Sequence, residues 1–225
     1  MPEKTVQKEP GKKPAPSKKP KPQQEVVVQI PLSELHPFPD HPFQVREDAS
    51  MQETAESVKE YGVLVPALAR PREDGGYELI AGHRRKHACE LAGLATMPVI
   101  VRDIDRDAAT IIMVDSNLQR ESLLPSERAF AYKMKLDAMK RQGQRVDLTS
   151  DPLGQKLKGV YSVEVVAQGT SDSKTQVQRY IRLTHLIPEI LELVDNSVLK
   201  DQEMLQIAMR PAVELSYLRK EEQAD

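Results

Sequence analysis

The sequence predicts an α+β protein in two parts. A small mixed N-terminal domain covers residues 25–120, and an all-α helix-turn-helix domain covers 121–225. Three observations carry this prediction. Between 26 and 103, short β-branched runs alternate with helix caps and tight turns; beyond 105 the strong signals are all helical; and the first 24 residues hold seven Lys and two Glu among many prolines, with almost no large apolar side chain. That leader is expected to be disordered and basic. Since the whole chain carries a net charge of −2, the body behind it is acidic, which argues for local cationic contacts rather than general coating of an anionic polymer.

The elements follow in order. Residues 26–30 are a β-branched strand; Ser50-Met51-Gln52-Glu53 is a capping box for a helix ending at Tyr61-Gly62. Strands at 67–70 and 77–80 flank a Glu-Asp-Gly-Gly turn, and another strand covers 98–102. Asp105 caps a helix through 108–114. A long amphipathic helix over 126–142 is expected to close at Gly143, followed by a polar loop over 144–159. Helices at 160–168 and 174–183 come next, and three supporting helices are expected at 188–194, 202–209 and 211–218. The single Cys89 excludes an internal disulfide framework and reads as core packing on a helix. There is no run of about 18 apolar residues and no signal-peptide hydrophobic region, so a cytoplasmic, nucleoid-associated protein is expected, with no membrane partner.

The sharpest local signal is Leu79-Ile80-Ala81-Gly82-His83-Arg84-Arg85-Lys86, where a strand meets a glycine turn and then a cationic helix start. Cations at a helix N-terminus oppose the macrodipole and call for an anion nearby. The planar forks of Arg84 and Arg85 favour a polyphosphate or a nucleic-acid backbone over a lone carboxylate, and with the free N–H groups of the helix they are expected to converge on one point. The plainer alternative is a solvated first turn.

Two other segments carry chemistry. Gly169-Thr170-Ser171-Asp172 is a tight turn between two short helices, and Ser173-Lys174-Thr175-Gln176 is a capping box, which makes a helix-turn-helix candidate. Val177 and Ile181 would face inward. Lys174, Thr175, Gln176, Gln178, Arg179 and Arg182 would supply the exposed surface, with side chains suited to adenine, guanine and phosphate. The stretch from Asp115 to Glu121 reads as a polar interruption between helices, where Asn117 could ligate magnesium through oxygen and Arg120 could meet a phosphate. On spacing alone, a solvent-facing turn is the favoured reading.

Four motifs in order resemble the ParB family of chromosome and plasmid partition proteins. They are Leu35-His36-Pro37-Phe38-Pro39 with Phe43-Gln44-Val45-Arg46; Gly82-His83-Arg84-Arg85; Asn117-Leu118-Gln119-Arg120-Glu121; and the helix-turn-helix with Gln178-Arg179-Tyr180-Ile181-Arg182-Leu183. The resemblance covers about 26–218 and implies a ParB/sulfiredoxin-like N-terminal domain. It further implies a protein that loads at inverted-repeat, centromere-like double-stranded DNA, binds CTP with Mg2+, closes as a clamp and stimulates a ParA-type ATPase. On that resemblance, Gly62, Val63, Gly82, His83, Arg84, Arg85, Asn117 and Arg120 would bind nucleotide, Asn117 would serve the metal, and Gln44 and Arg46 would lie at the clamp interface. Weak CTP hydrolysis used as a switch is implied, as is homodimer formation on DNA or nucleotide.

The chain departs from the family pattern at three places. His83 stands where the arginine box has glutamate, Ser116 where an acid precedes the asparagine, and Val65 where a polar residue often precedes the proline. Serine is a weaker magnesium ligand than carboxylate, which favours binding over turnover. Alternative functions are a helix-turn-helix transcriptional or replication regulator that has lost nucleotide turnover, and a nucleotide-dependent small-molecule kinase or nuclease on the same fold. A sulfiredoxin would need cysteine where Gly82 stands.

Overall fold

Leu79 and Ile80 are neighbours in one strand, both fully buried, and they belong to different cores. Alternation along a strand sends successive side chains to opposite faces, so this pair shows a sheet covered on both sides. The computed structural model describes residues 26–120, 123–149, 163–199 and 204–224, with the side chains of 144–149 excepted. The basic leader 1–24, and the part of the expected loop that runs over 150–159, lie outside the described residues.

The sheet has five strands in the order β1-β5-β3-β4-β2. β1 (Val27–Pro31) is antiparallel to β5 (Thr96–Val101), β5 is parallel to β3 (Ala67–Pro71), β3 is antiparallel to β4 (Tyr77–Ala81), and β4 is parallel to the short β2 (Leu35–Pro37), which a 3₁₀ turn at Leu32–Glu34 precedes. On one face α1 (Ala49–Tyr61) and α2 (His83–Leu91) bury Met51, Val58, Ala88 and Cys89 against Leu79, Met97 and Val99. On the other, α3 (Arg106–Leu118) and α4 (Pro125–Thr149) bury Met113, Val114 and Ala131 against Ile80, Phe38 and Phe43. α4 is therefore shared: one side closes the sheet domain. Its other residues pack Tyr132 and Leu136 against α5 (Val163–Ala167) and α6 (Lys174–Leu183), and Ala129 against α7 (Pro188–Leu199) and α8 (Met209–Leu215). A last short turn, α9 (Lys220–Gln223), buries Gln223, which bonds to the Ile187 N–H and the carbonyls of His185 and Leu218. Among the described residues no helix is long and apolar enough to cross a membrane.

Four local expectations are corrected. α1 is capped by Asp48, whose carboxylate accepts from Met51 N–H at 2.8 Å; Ser50 lies inside the first turn, with its hydroxyl near Arg84. α4 does not stop at Gly143 but runs to Thr149. Gly143 is buried and keeps right-handed backbone, and a glycine terminates a helix when it turns left-handed, not merely by being present. Residues 204–208 are not helical. Ile207 N–H bonds to the Leu193 carbonyl and Asn196 reaches the Leu205 carbonyl, so α7 captures the backbone groups that a helix would have used. Finally, Asp115, Ser116 and Asn117 continue α3 rather than interrupting it.

A cationic cleft and a helix-turn-helix

The strand-to-helix turn at Gly82 does what its sequence requires. Its φ of +112° is left-handed, and a Cβ there would stand 2.8 Å from the Ala67 side chain, so both backbone and space demand glycine. α2 starts at once, with no side-chain cap on its free N–H groups.

Beside this helix start lies a cleft of about 290 Å³, lined by Gln44, Arg46, Asp48, Ser50, Arg84, Arg120, Leu123 and Glu127. Three arginines face two carboxylates, and the carboxylates are largely occupied. Glu127 accepts from Gln44 N–H and Leu124 N–H, both at 2.9 Å, so it caps α4 and ties the 41–46 segment to it; Arg46 is at 4.0 Å. Asp48 caps α1 and sits 3.6 Å from Arg84. Burial holds the Arg120 guanidinium below its ordinary pKa, and repulsion from Arg84 adds to this more than Glu127 offsets it. One Arg46 nitrogen is buried without a hydrogen-bond partner. The cleft thus carries one more cation than carboxylate, and both carboxylates are also engaged with backbone N–H groups.

The two adjacent arginines do not converge. Successive helix positions diverge by about 100°; Arg84 turns to the cleft, while Arg85 donates to the carbonyls of Val65 at 2.5 Å and Pro66 at 2.7 Å. Arg85 instead walls a separate trough of about 370 Å³ with Glu53, Thr54, Ser57, Gly62, Val63 and Val65. Gly62 and Val63 therefore share a wall with Arg85, across α2 from Arg84.

His83, the first residue of α2, packs against His41 with ring centroids 3.9 Å apart and planes tilted by 44°. Burial, then the neighbouring His41, Arg120 and Lys86, push the His83 imidazole down to about 3, so it is neutral. The Nε2 atoms of both rings are buried and unpartnered.

Of the third predicted segment, Arg120 alone lines the cleft. Asn117 is buried with its amide donating back to the Met113 carbonyl at 2.8 Å, the Ser116 hydroxyl donates to the same carbonyl, and Asp115 pairs with Lys135 at 2.6 Å. Among the described residues no group of three His, Cys, Asp or Glu side chains is placed to hold a metal. The residues fit a polyanion and do not build a magnesium shell of their own.

The helix-turn-helix forms around the expected turn, with α5 at 163–167 of the expected 160–168; residues 160–162 lie outside the described residues. Gly169 at φ +88° makes the turn from α5, and the Ser173 hydroxyl accepts from Gln176 N–H to cap α6. Val177 and Leu183 are fully buried, while Lys174, Thr175 and Gln178 are exposed and Gln176 and Arg179 half-exposed. Lys174 leans on Glu164 at 3.2 Å. Arg182 differs: its fork donates to the Ser216 hydroxyl and carbonyl and lies 4.0 Å over the Tyr217 ring, so it pins α6 to α8 instead of supplying exposed surface. The turn itself is anchored by Asp172, which accepts from Arg128 at 2.9 Å and from the Tyr132 hydroxyl. Burial, reinforced by that bond, raises the Tyr132 pKa.

Sequence reasoning missed Glu127, His41 and the Asp172 anchor. Glu127 had a signal, since Leu124-Pro125-Ser126-Glu127 places proline at the first helical position and an acid at the third. His41 and Asp172 had none, because their partners lie 42 and 40 residues away.

Comparison with known proteins agrees with this architecture. The family model for the ParB N-terminal domain matches residues 16–118. The chromosome-partitioning protein Spo0J of Thermus thermophilus is 36% identical over 170 residues, covering 75% of this chain and 55% of that protein. Stage 0 sporulation protein J of Bacillus subtilis is 32% identical over 176 residues, covering 78% and 55%. The chain thus spans about half the length of these curated relatives. A crystal structure of the C-terminally truncated chromosome-partitioning protein ParB from Caulobacter crescentus, complexed to the centromeric parS site, matches with a TM-score of 0.51 and 25% identity over 84% of each chain. A four-motif order, a mixed sheet with a cationic helix start, a helix-turn-helix behind it and these matches lead to one assignment: the chain belongs to the ParB family.

Proposed function

We propose that this chain is a site-specific DNA-binding partition protein whose sheet domain binds a nucleoside triphosphate, CTP by family resemblance, and uses it as a switch. The observation that carries the proposal is the cluster of Arg46, Arg84 and Arg120, only partly offset by Asp48 and Glu127, beside the uncapped start of α2. Guanidinium forks and free helix N–H groups together suit a triphosphate. The trough at 62–65 and Arg85 is the proposed seat for the rest of the nucleotide.

α6 would enter the major groove with Thr175, Gln176, Gln178 and Arg179, and Lys174 would meet phosphate. The parS complex of the Caulobacter relative supports this placement. A palindromic site would be met by two copies of the chain, with a ParA-type ATPase as partner and the nucleoid as location.

Binding without rapid turnover is the favoured form of the switch. At the positions that would hold Mg2+ in the family, the Asn117 amide nitrogen is bonded to the Met113 carbonyl and serine stands at 116, so the metal would be held largely by phosphate oxygens and water.

Titration calorimetry with CTP, ATP and GTP in magnesium, with and without inverted-repeat DNA from the protein's own locus, tests the reading. Wild type should bind CTP selectively, and R84Q or R120Q should weaken it at least tenfold while site-specific DNA binding persists. Unchanged nucleotide affinity in both variants would remove the cleft from the nucleotide site.

A further inference from the structure

His41 and His83 come from separate segments, the loop after β2 and the first turn of α2, yet their ring centroids lie 3.9 Å apart with the planes tilted by 44°, and neither Nε2 has a hydrogen-bond partner. Two buried, unsatisfied ring nitrogens side by side are costly unless something outside the protein completes them. The surroundings say what. The charges that act on the pair are Arg120 after α3, Lys86 on α2 and Glu127 on α4, and Glu127 is already committed to two backbone N–H groups. A cationic surrounding repels a metal ion and attracts an anion.

The tautomer of His41 sharpens the point. Its Nδ1 lies 2.8 Å from the Phe43 carbonyl, which can only accept, so Nδ1 carries the proton and a neutral ring presents a bare lone pair at Nε2. A phosphate oxygen cannot approach that lone pair. It can approach an Nε2–H.

We infer that His41 and His83 form an additional seat for the terminal phosphate of a polyphosphate, and that filling it takes up one proton from solvent at His41 Nε2. His83 donates from its own Nε2. No bond other than N–H forms, and the phosphate accepts two hydrogen bonds. The inference rests on the cleft being a triphosphate site, as proposed above. The 41–46 segment carries His41 together with Gln44 and Arg46 of the cleft wall, so the seat and the cleft are built on one stretch of chain. The histidine in place of the family's arginine-box glutamate thereby exchanges a fixed negative charge for a neutral donor, and the cation that forms with ligand is on its neighbour His41.

The sign follows from linkage. Unliganded, both imidazoles are held below 6.5, chiefly by burial. Ligand raises the His41 value, so the added affinity is present below the liganded pKa and is lost as pH rises through it, by up to about tenfold per pH unit for one proton.

Ring-proton NMR of the intact chain, with His41 assigned by substitution among the five histidines, reads the protonation directly with and without inorganic tripolyphosphate or CTP. His41 should become imidazolium at saturation near pH 7. In parallel, H41Q, confirmed as folded by thermal melting, should weaken both ligands about tenfold at pH 6 and far less at pH 8. Saturation with His41 still neutral would overturn the inference, leave the cleft reading standing, and make the pair a site for buried water. Failure of wild type to bind either ligand at any pH would overturn both. Binding of tripolyphosphate and CTP with equal proton uptake places the contact on phosphate rather than on the base, as inferred; uptake with CTP alone would overturn it.

Discussion

The cation cleft and the helix-turn-helix treat buried charge in opposite ways. In the helix-turn-helix each buried charged group has its answer: Asp172 holds Arg128 and the Tyr132 hydroxyl, and Arg182 is spent on Ser216 and Tyr217. In and beside the cleft the answers are partial. Arg84 and Arg120 repel each other, an Arg46 nitrogen is buried without a hydrogen bond, and the ring nitrogens of the adjacent His41 and His83 are open. A surface that reads DNA needs a rigid frame under an exposed face. A pocket that responds to a ligand needs unsatisfied groups, whose cost the ligand removes. The proposed function asks for both designs, and α4 packs against both regions.

The largest effect should come from breaking the satisfied network. Asp172→Ala leaves Arg128 and Tyr132 without their acceptor at side-chain exposures of 18% or less on both ion-pair members, and should cost about 3 kcal/mol in urea denaturation, in line with breaking a buried pair. DNA binding should fall with it. Arg120→Gln in the ligand-free protein provides the contrast: it removes repulsion from Arg84 and should leave stability equal or higher. A cleft variant as costly as Asp172→Ala would erase the distinction between the two regions.

The next effect lies in acid. The unfolded His83 titrates near 6.5 and the folded one near 3, so between those values the unfolded chain binds more protons and stability falls as pH drops. At pH 4.5 the single group should account for about 2–3 kcal/mol. Urea denaturation of wild type and His83→Gln from pH 7 to 4 isolates it, because the carboxylates titrate in both. The two curves should separate steadily below pH 6.5. Parallel curves would mean that His83 is not held neutral by the fold.

How much of this was legible in the sequence depends on whether the partners are near in the chain. Gly82, the Asp105 and Ser173 caps, and the Gly169 turn act within four residues, and their residue types name their roles. The cationic helix start was legible as a strand-glycine-helix turn, yet the divergence of Arg84 and Arg85 needed the position of the 62–66 wall, which connects α1 to β3. Arg182 looked like exposed surface because it shares a helix face with Gln178 and Arg179. Its partner Ser216 lies 34 residues on, and no local pattern points to it. The expected helix at 202–209 failed for a related reason: its apolar spacing is real, but α7 takes the backbone hydrogen bonds of 205 and 207.

The smallest effect tests which α6 residues do the reading once Arg182 is assigned to packing. Thr175, Gln178 and Arg179 remain on the open side of α6, and Arg179 is the member able to meet guanine or phosphate. Arg179→Ala should weaken binding to inverted-repeat DNA by about tenfold, or about 1.4 kcal/mol, with the fold unchanged. A phosphate contact would lower the salt slope by about one and weaken all sequences alike; a guanine contact would keep the slope and relax discrimination at one base pair. Arg182→Ala should instead lower thermal stability first, through the lost Ser216 and Tyr217 contacts, and affect DNA in proportion. If Arg182→Ala left stability intact and reduced the salt slope, the packing contact would be secondary and the open face of α6 would extend one further turn toward its C-terminus.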